Sequence, residues 1–216
     1  MGRAVATPRG PWQRYLRALR RHIVAGFEHE SDAVRFLAEL RERLEKFALS
    51  LHPDKTRLIE FGRHAADDRK KRGLGKPETF NFLGFTHICG HSRRGLFLLH
   101  RKTRRDRMRA KLRALKGELK RRMHEPIPMQ GQWLGQVVRG YFQYHAVPTN
   151  YPRLAAFRFH VTELWWRTLR RRSQRDWTTW DRISRLVAAY LPLPRVLHPW
   201  PNLRFAVKHP RREPGA

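Results

Sequence analysis

Between Arg101 and Met123 the chain reads RKTRRDRMRAKLRALKGELKRRM, in which twelve Lys and Arg face two acids, Asp106 and Glu118. Met108, Leu112, Leu115, Leu119 and Met123 recur at three-to-four spacing, so a helix here packs along one narrow stripe. Its other faces carry cations at helical pitch, which suits a track of phosphates, each contact releasing condensed counterions. Two acids are too few to neutralise the run by internal ion pairing. A second candidate is Arg139–His145 (RGYFQYH), where Tyr144 could stack on an unpaired base and Arg139 hold a phosphate. Tyr141 and Phe142 read as core by their pattern, as does Trp165, whereas Trp166 reads as exposed.

Two other constellations carry less. His87, Cys89 and His91 alternate along an extended segment, with His100 nearby in sequence. A zinc site needs about four converging ligands, and no second ligand pair of known spacing appears, so no metal is expected. Asp67-Asp68 resembles half of a two-metal carboxylate site, but it lies in a Gly- and Lys-bearing stretch without the rigid hairpin such a pair requires. It reads as a chance match. Neither a Ser-His-Asp arrangement nor a glycine-rich phosphate loop can be argued from spacing.

The elements that must position these groups are set by composition. The chain has 216 residues, 47 Lys and Arg and 18 Asp and Glu, a formal charge of +29 and a pI near 11.7. That balance excludes an ordinary metabolic enzyme surface and makes a polyanion the expected partner. Hydrophobic residues at 40% still allow a packed core. The excess charge is uneven. Residues 28–60 hold eight acids and six bases, whereas 101–216 hold 27 bases and seven acids. The single cysteine, Cys89, excludes an internal disulfide framework and fits a reducing cytosol. No apolar run approaches the roughly 20 residues of a membrane span, and no secretory signal is visible at the N-terminus. A cytoplasmic chain without a membrane partner is expected.

Periodicity predicts a helix from Ser31, as its N-cap, ending before His52-Pro53. Short strands follow at Thr56–Phe61 and Phe80–Ile88, separated by a polar surface loop (HAADDRKKRGLGKPET), with Gly95–Leu99 as a hairpin partner. From Arg101 the character becomes helical. One helix runs to Met123 and is stopped by Glu125-Pro126-Ile127-Pro128. A second starts near Gln132 and ends before Pro148, a third starts near Pro152, and a fourth covers Asp181–Tyr190. Residues 1–22 read as disordered and 201–216 as a basic tail.

Four segments in order, GFEHESDAVRFLAELRERLEKFALSLHPDKTRLIEFGR, FNFLGFTHICG, WLGQVVRGYFQYHAVPTN and LWWRTLRRRSQRDWTTWDRISRL, resemble the C-terminal half of a bacterial group II intron reverse transcriptase/maturase. The resemblance covers about residues 23–208. It implies that 23–99 is the end of the polymerase palm and that 100–200 is the helical thumb and the maturase-specific region. The fold class expected is thus α+β: a small truncated palm-like sheet with one helix, followed by a mainly α-helical basic thumb/maturase domain. In the family a Tyr-Ala-Asp-Asp hairpin immediately precedes a segment like Ile23–Phe27. Counting back, those positions hold Leu19, Arg20, Arg21 and His22. Two cationic groups replace the metal-binding aspartates, so the Mg²⁺ of the intact family is not expected here, nor any other cofactor. Residues 1–22 match nothing in the family, which fits a frameshifted or truncated reading frame.

The resemblance therefore implies RNA binding in support of splicing, without polymerase activity by this chain alone. No catalytic residue is expected. Arg101, Lys102, Arg104, Arg105, Arg109 and Lys111 would track phosphates along an RNA/DNA or RNA duplex. Arg139, Tyr144 and the cluster Arg170, Arg171 and Arg172 would contact structured group II intron RNA. Two alternatives stay open: the C-terminal half of a split RNA-directed DNA polymerase, completed by a separate N-terminal half, and a non-functional truncated remnant.

Overall fold

A computed structural model describes residues 23–172 and 178–200. The expectations for residues 1–22 and 201–216, including the positions Leu19–His22, lie outside the described residues. The chain divides into two units, one ending at Ile59 and the other beginning at Glu60. Among the described residues it is a mixed fold of six α-helices and one three-stranded antiparallel sheet.

The first unit is built on α1 (Glu30–Glu45), whose first turn carries Glu30 and Asp32 at the positive end of the helix dipole. Ser31 is not its cap. His29 occupies that position without a side-chain bond, and Ser31 falls inside the helix. The helix also ends earlier than His52-Pro53 requires. Ala48 adopts φ 54° and Leu49 N–H returns to Leu44 O at 2.9 Å, which turns the chain out of the helix. A single 3₁₀ turn follows at Pro53–Lys55.

Two departures from the expected order follow, the first spanning the boundary between the units and the second inside the second unit. Thr56–Phe61 forms no strand among the described residues, since β-propensity without a neighbouring strand yields no ladder. The expected polar loop contains a helix instead, α2 (Ala65–Lys71). Asp67 and Asp68 lie in its first turn and Arg69, Lys70 and Lys71 in its last, so the charges at both ends complement the dipole. Gly73, at φ 69°, closes it: its N–H reaches Lys70 O and Leu74 N–H reaches Arg69 O, the pair of bonds of a Schellman cap.

The sheet is a meander of β1 (Phe80–Phe82), β2 (Phe85–His91) and β3 (Phe97–Thr103). The single strand expected at Phe80–Ile88 is thus two strands. Leu83 and Gly84 both take positive φ (45° and 78°), as a two-residue type I′ hairpin turn demands. The register pairs Phe85 with Thr103, His87 with Arg101 and Cys89 with Leu99. His87 and Cys89 consequently share one face, while His100 pairs with Ile88 on the other. Gly90 is required beneath that histidine, because a Cβ there would meet the His100 ring at 2.2 Å.

β3 passes directly into the helical layer of α3 (Arg105–Arg121), α4 (Ile127–His145), α5 (Tyr151–Arg170) and α6 (Trp180–Tyr190). α3 ends before Pro126-Ile127-Pro128 as expected, but the same prolines also start α4, which begins at Ile127 and not near Gln132. Pro126 is its N-cap and Pro128 lies in the first turn, where a missing N–H costs nothing. The core joins Leu119, Leu134, Leu154, Phe157, Trp165 and Ile183, all wholly buried. Each such side chain contributes about 1.5–3 kcal/mol by leaving water.

Two buried amides tie this layer together. Gln130 Nε2 donates to Arg122 O at 2.7 Å and to Met123 O and Glu125 O at 3.2 Å, satisfying carbonyls left open after α3. Its Oε1 accepts the Trp165 indole N–H at 3.0 Å. Asn150, at the start of α5, is the second, and it binds the end of β3. Arg158 plays a similar part for α6, donating to Pro192 O at 3.1 Å and reaching Val187 O and Leu191 O. The segment after α6 then returns to α4, with Leu197 N–H on Ala146 O and His198 Nε2 beside Gln143 O at 2.6 Å. No helix among the described residues is long and apolar enough to cross a membrane.

Candidate nucleic-acid interface

The stripe expected for α3 is its buried side: Met108, Leu115 and Leu119 are buried and Leu112 packs against the core. The remaining surface of the helix is wet and cationic. Arg105, Arg107, Arg109, Lys111, Arg113, Lys116 and Lys120 are exposed. Among the described residues none of these seven has an acidic partner. The helix's two acids and Glu125 engage Arg104, Arg121 and Arg122 instead. A helix with this much uncompensated charge presents a strongly positive field to its surroundings.

The six cations expected on one helix divide by element. Arg101 and Lys102 belong to β3, not to α3, because the ladder with β2 extends through Thr103. Arg101 is half-buried on the His87 face, its N–H donates to Thr149 Oγ1 at 2.9 Å, and burial lowers its guanidinium pKa. Lys102 is exposed on the opposite face, beside His100. Arg104 is the N-cap of α3 and grips Asp106 through two nitrogens, which holds that carboxyl below its usual range. Arg105 and Arg109, one turn apart, border a shallow concavity of about 380 Å³ together with Asn81, Thr86, Arg104 and the carboxylate of Asp106. Lys111 is exposed further along the helix.

Arg139 is exposed on α4 and lines a different groove, of about 450 Å³, with Phe142, Leu193, Arg195 and Leu197. Tyr144 is already engaged. Its hydroxyl donates to Leu83 O at 2.8 Å and its ring stacks on Phe85, 5.8 Å between centroids. It closes the β1–β2 turn onto α4, and about half of the residue stays exposed. Tyr141, Phe142 and Trp165 are core, as expected. Trp166 is not the exposed ring that the pattern suggests. It is half-buried, with its N–H on Thr178 O at 2.8 Å and the Arg170 guanidinium 5.1 Å above its face. Arg171 is exposed at the end of α5, and Arg172 reaches His124 O at 3.5 Å.

The expected residues therefore lie in three places: the sheet with the start of α3, the side of α4, and the end of α5. Pattern reading misses Asn81, Thr86 and Arg195, whose roles arise from neighbours distant in sequence. It also misses Phe159 and Trp180, exposed aromatics at 52% and 45%. Phe159 is detectable in principle, since it falls off the stripe Leu154, Phe157, Val161 and Trp165 that α5 buries.

Asp67 and Asp68 sit on α2, where Asp68 Oδ1 lies 3.7 Å from Lys71 Nζ. Among the described residues no three His, Cys, Asp or Glu side chains converge. These residues do not fit a Mg²⁺ pair. Comparison with family models, curated proteins and solved structures finds no match to this chain.

Proposed function

We propose that this chain binds structured RNA as a fragment of a group II intron reverse transcriptase/maturase. In this reading the sheet is what is left of the palm, α3–α6 are the basic thumb and maturase-specific region, and intron RNA is the partner. The observation that carries the reading is the unpaired cationic surface of α3, set opposite a single buried stripe. A solvated charged face would be expected to interleave acids with its bases, and this one does not.

The work done is binding. Phosphate contacts along α3 would supply salt-dependent affinity, while Arg139 and the Arg170–Arg172 cluster would add contacts to a folded RNA. Intron folding would be favoured to the extent that these surfaces bind the active form more tightly than its competitors. A localisation in the cytoplasm belongs to the same proposal.

The test is a competition titration at physiological salt. The purified chain binds a labelled group II intron RNA in the presence of excess unrelated structured RNA of equal length. Affinity that survives the competitor supports the reading. Affinity lost in full to the competitor reduces the chain to a polycation and overturns it.

A further inference from the structure

We propose that Trp180 and Phe159 form a platform on which one unpaired base of a bound RNA stacks, with Arg170 placed to take its phosphate. This rests on the RNA-binding reading and specifies a part of the ligand that the cationic face of α3 does not address: an unstacked nucleotide.

The platform is assembled from two helices. Phe159 lies on α5, off its buried stripe, and Trp180 is the first residue of α6. Their ring centroids are 6.5 Å apart with the planes tilted by 55°, so a base would stack on one ring and meet the other at an angle, and Trp166 meets Trp180 edge-on at 5.5 Å and 88°. The Trp166 N–H donates to Thr178 O at 2.8 Å, which orients its ring beside its neighbour. Thr179 caps α6 through the Arg182 N–H, which sets the position from which Trp180 projects. Two large rings thus stand about half in water on a prepared base, although the core alongside is fully packed.

The border decides which occupant fits. Arg170 already lies over Trp166, so it is held beside the platform while the edge of its guanidinium can still donate. Arg167 and Arg171 are exposed on the same end of α5. Of the acids here, Glu163 is engaged by Arg167 at 3.3 Å and His160 at 3.1 Å, whereas Asp181, beside Trp180 in the first turn of α6, is exposed. Open π faces with a guanidinium rim match an unpaired nucleotide, whose base offers a stacking surface and whose phosphate carries the charge. Along its length a duplex offers no such base, because interior faces are covered by stacking and only the terminal pairs keep one open face.

The experiment uses the full chain and two probes: a blunt RNA duplex, and the same duplex with a single-stranded pyrimidine overhang. The wild-type chain is expected to bind the overhang probe roughly five- to a hundredfold more tightly, the range that stacking one base supplies. Trp180→Ala should erase that advantage and leave duplex affinity and its salt dependence unchanged, whereas Trp180→Phe should keep most of it. Should Trp180→Ala disturb folding, Phe159→Ala decides, since its ring is the more exposed. An overhang advantage that survives both alanine variants, or is absent from the wild type, overturns the platform and leaves the patch to a protein partner. Failure to bind either probe would instead remove the RNA-binding reading itself, and the platform with it.

Discussion

Thr103, the last residue of β3, and Asn150, the N-cap of α5, are joined by two hydrogen bonds across 47 positions of sequence. The Thr103 N–H donates to Asn150 Oδ1 at 2.9 Å, and Asn150 Nδ2 donates to Thr103 Oγ1 at 2.7 Å. The same Nδ2 donates to His145 O at 2.8 Å, at the end of α4. Both side chains are buried, Asn150 completely. One amide therefore fastens the sheet to the corner where two helices meet, and it fixes the point from which α3 departs.

Asn150→Ala should cost about 2–3 kcal/mol, because it strands a buried N–H, a hydroxyl and a carbonyl that water cannot reach. Asn150→Asp should cost no less at neutral pH, since it keeps the acceptor but buries a charge and loses both donations. Urea unfolding of the full chain measures both. A shift in midpoint equivalent to less than about 0.5 kcal/mol for the alanine variant, below the worth of one ordinary hydrogen bond, would show that this clip is not structural.

That clip also shows where sequence reading stops. The helices α3–α6 are legible because each buries a stripe at helical period, and Tyr141, Phe142 and Trp165 fall in place for that reason. Boundaries fail where one residue type serves two purposes. Pro126 and Pro128 read only as the stop after α3, which they are, yet at an N-cap and first turn they also start α4. Arg101 and Lys102 continue the basic run in sequence, but pairing with β2 takes them into the sheet. Asp67-Asp68 looks like loop, because a seven-residue helix shows too little period to be seen and is held by its end charges and Gly73. The sites at Asn81–Arg109 and Phe159–Trp180 are tertiary. Nothing in local pattern tells that Trp180 will meet a ring on α5.

Glycines of α3 and α4 should respond oppositely to alanine. A Cβ on Gly135 would lie 2.6 Å from the Tyr190 carbonyl oxygen, where α6 ends against α4. Backbone cannot yield as a side chain can, so Gly135→Ala should destabilise the chain by roughly 1–3 kcal/mol. Gly117 on α3 has nothing within 4 Å of the same position. Gly117→Ala should add about 0.5–1 kcal/mol by lowering the entropy lost on folding, visible as a rise of a few degrees in Tm. Thermal unfolding of the two variants side by side checks this, and a shift of the same sign in both would refute the close packing of α6 on α4.

Arginines at the start of α3 should separate into binding and structural groups. Arg105 and Arg109 are exposed and without acidic partners among the described residues, so replacing both with Ala should lower the slope of log affinity against log salt. The decrease should be about 0.7–0.9 for each phosphate that is no longer neutralised. Arg104 is committed to Asp106, so Arg104→Ala should leave that slope nearly unchanged. RNA binding measured across a salt series reads both. An unchanged slope in the Arg105/Arg109 double variant would place the nucleic acid elsewhere.

Acid should destabilise the second unit through its partly buried histidines. His145 lies between the rings of Tyr141, at 4.1 Å, and Phe85, at 5.5 Å, with Nδ1 at 3.1 Å from Tyr141 O. Burial lowers its pKa below the ordinary 6.5, and the same cause acts on His100 and, with Arg101 adding repulsion, on His87. Below pH 6.5 the unfolded chain therefore binds protons that the folded one refuses, so stability must fall as protons are added. The contribution is complete above that pH and is lost as pH drops from 6.5 through the folded values. The unfolding midpoint should accordingly be flat above about pH 7 and decline as pH falls below about 6.5. His145→Gln should make the decline shallower even where it lowers the midpoint at about pH 7, since it removes the group that takes up the proton. A decline of equal steepness in the variant would assign the acid sensitivity to other groups, and a midpoint that rose on acidification would contradict the burial of all three histidines.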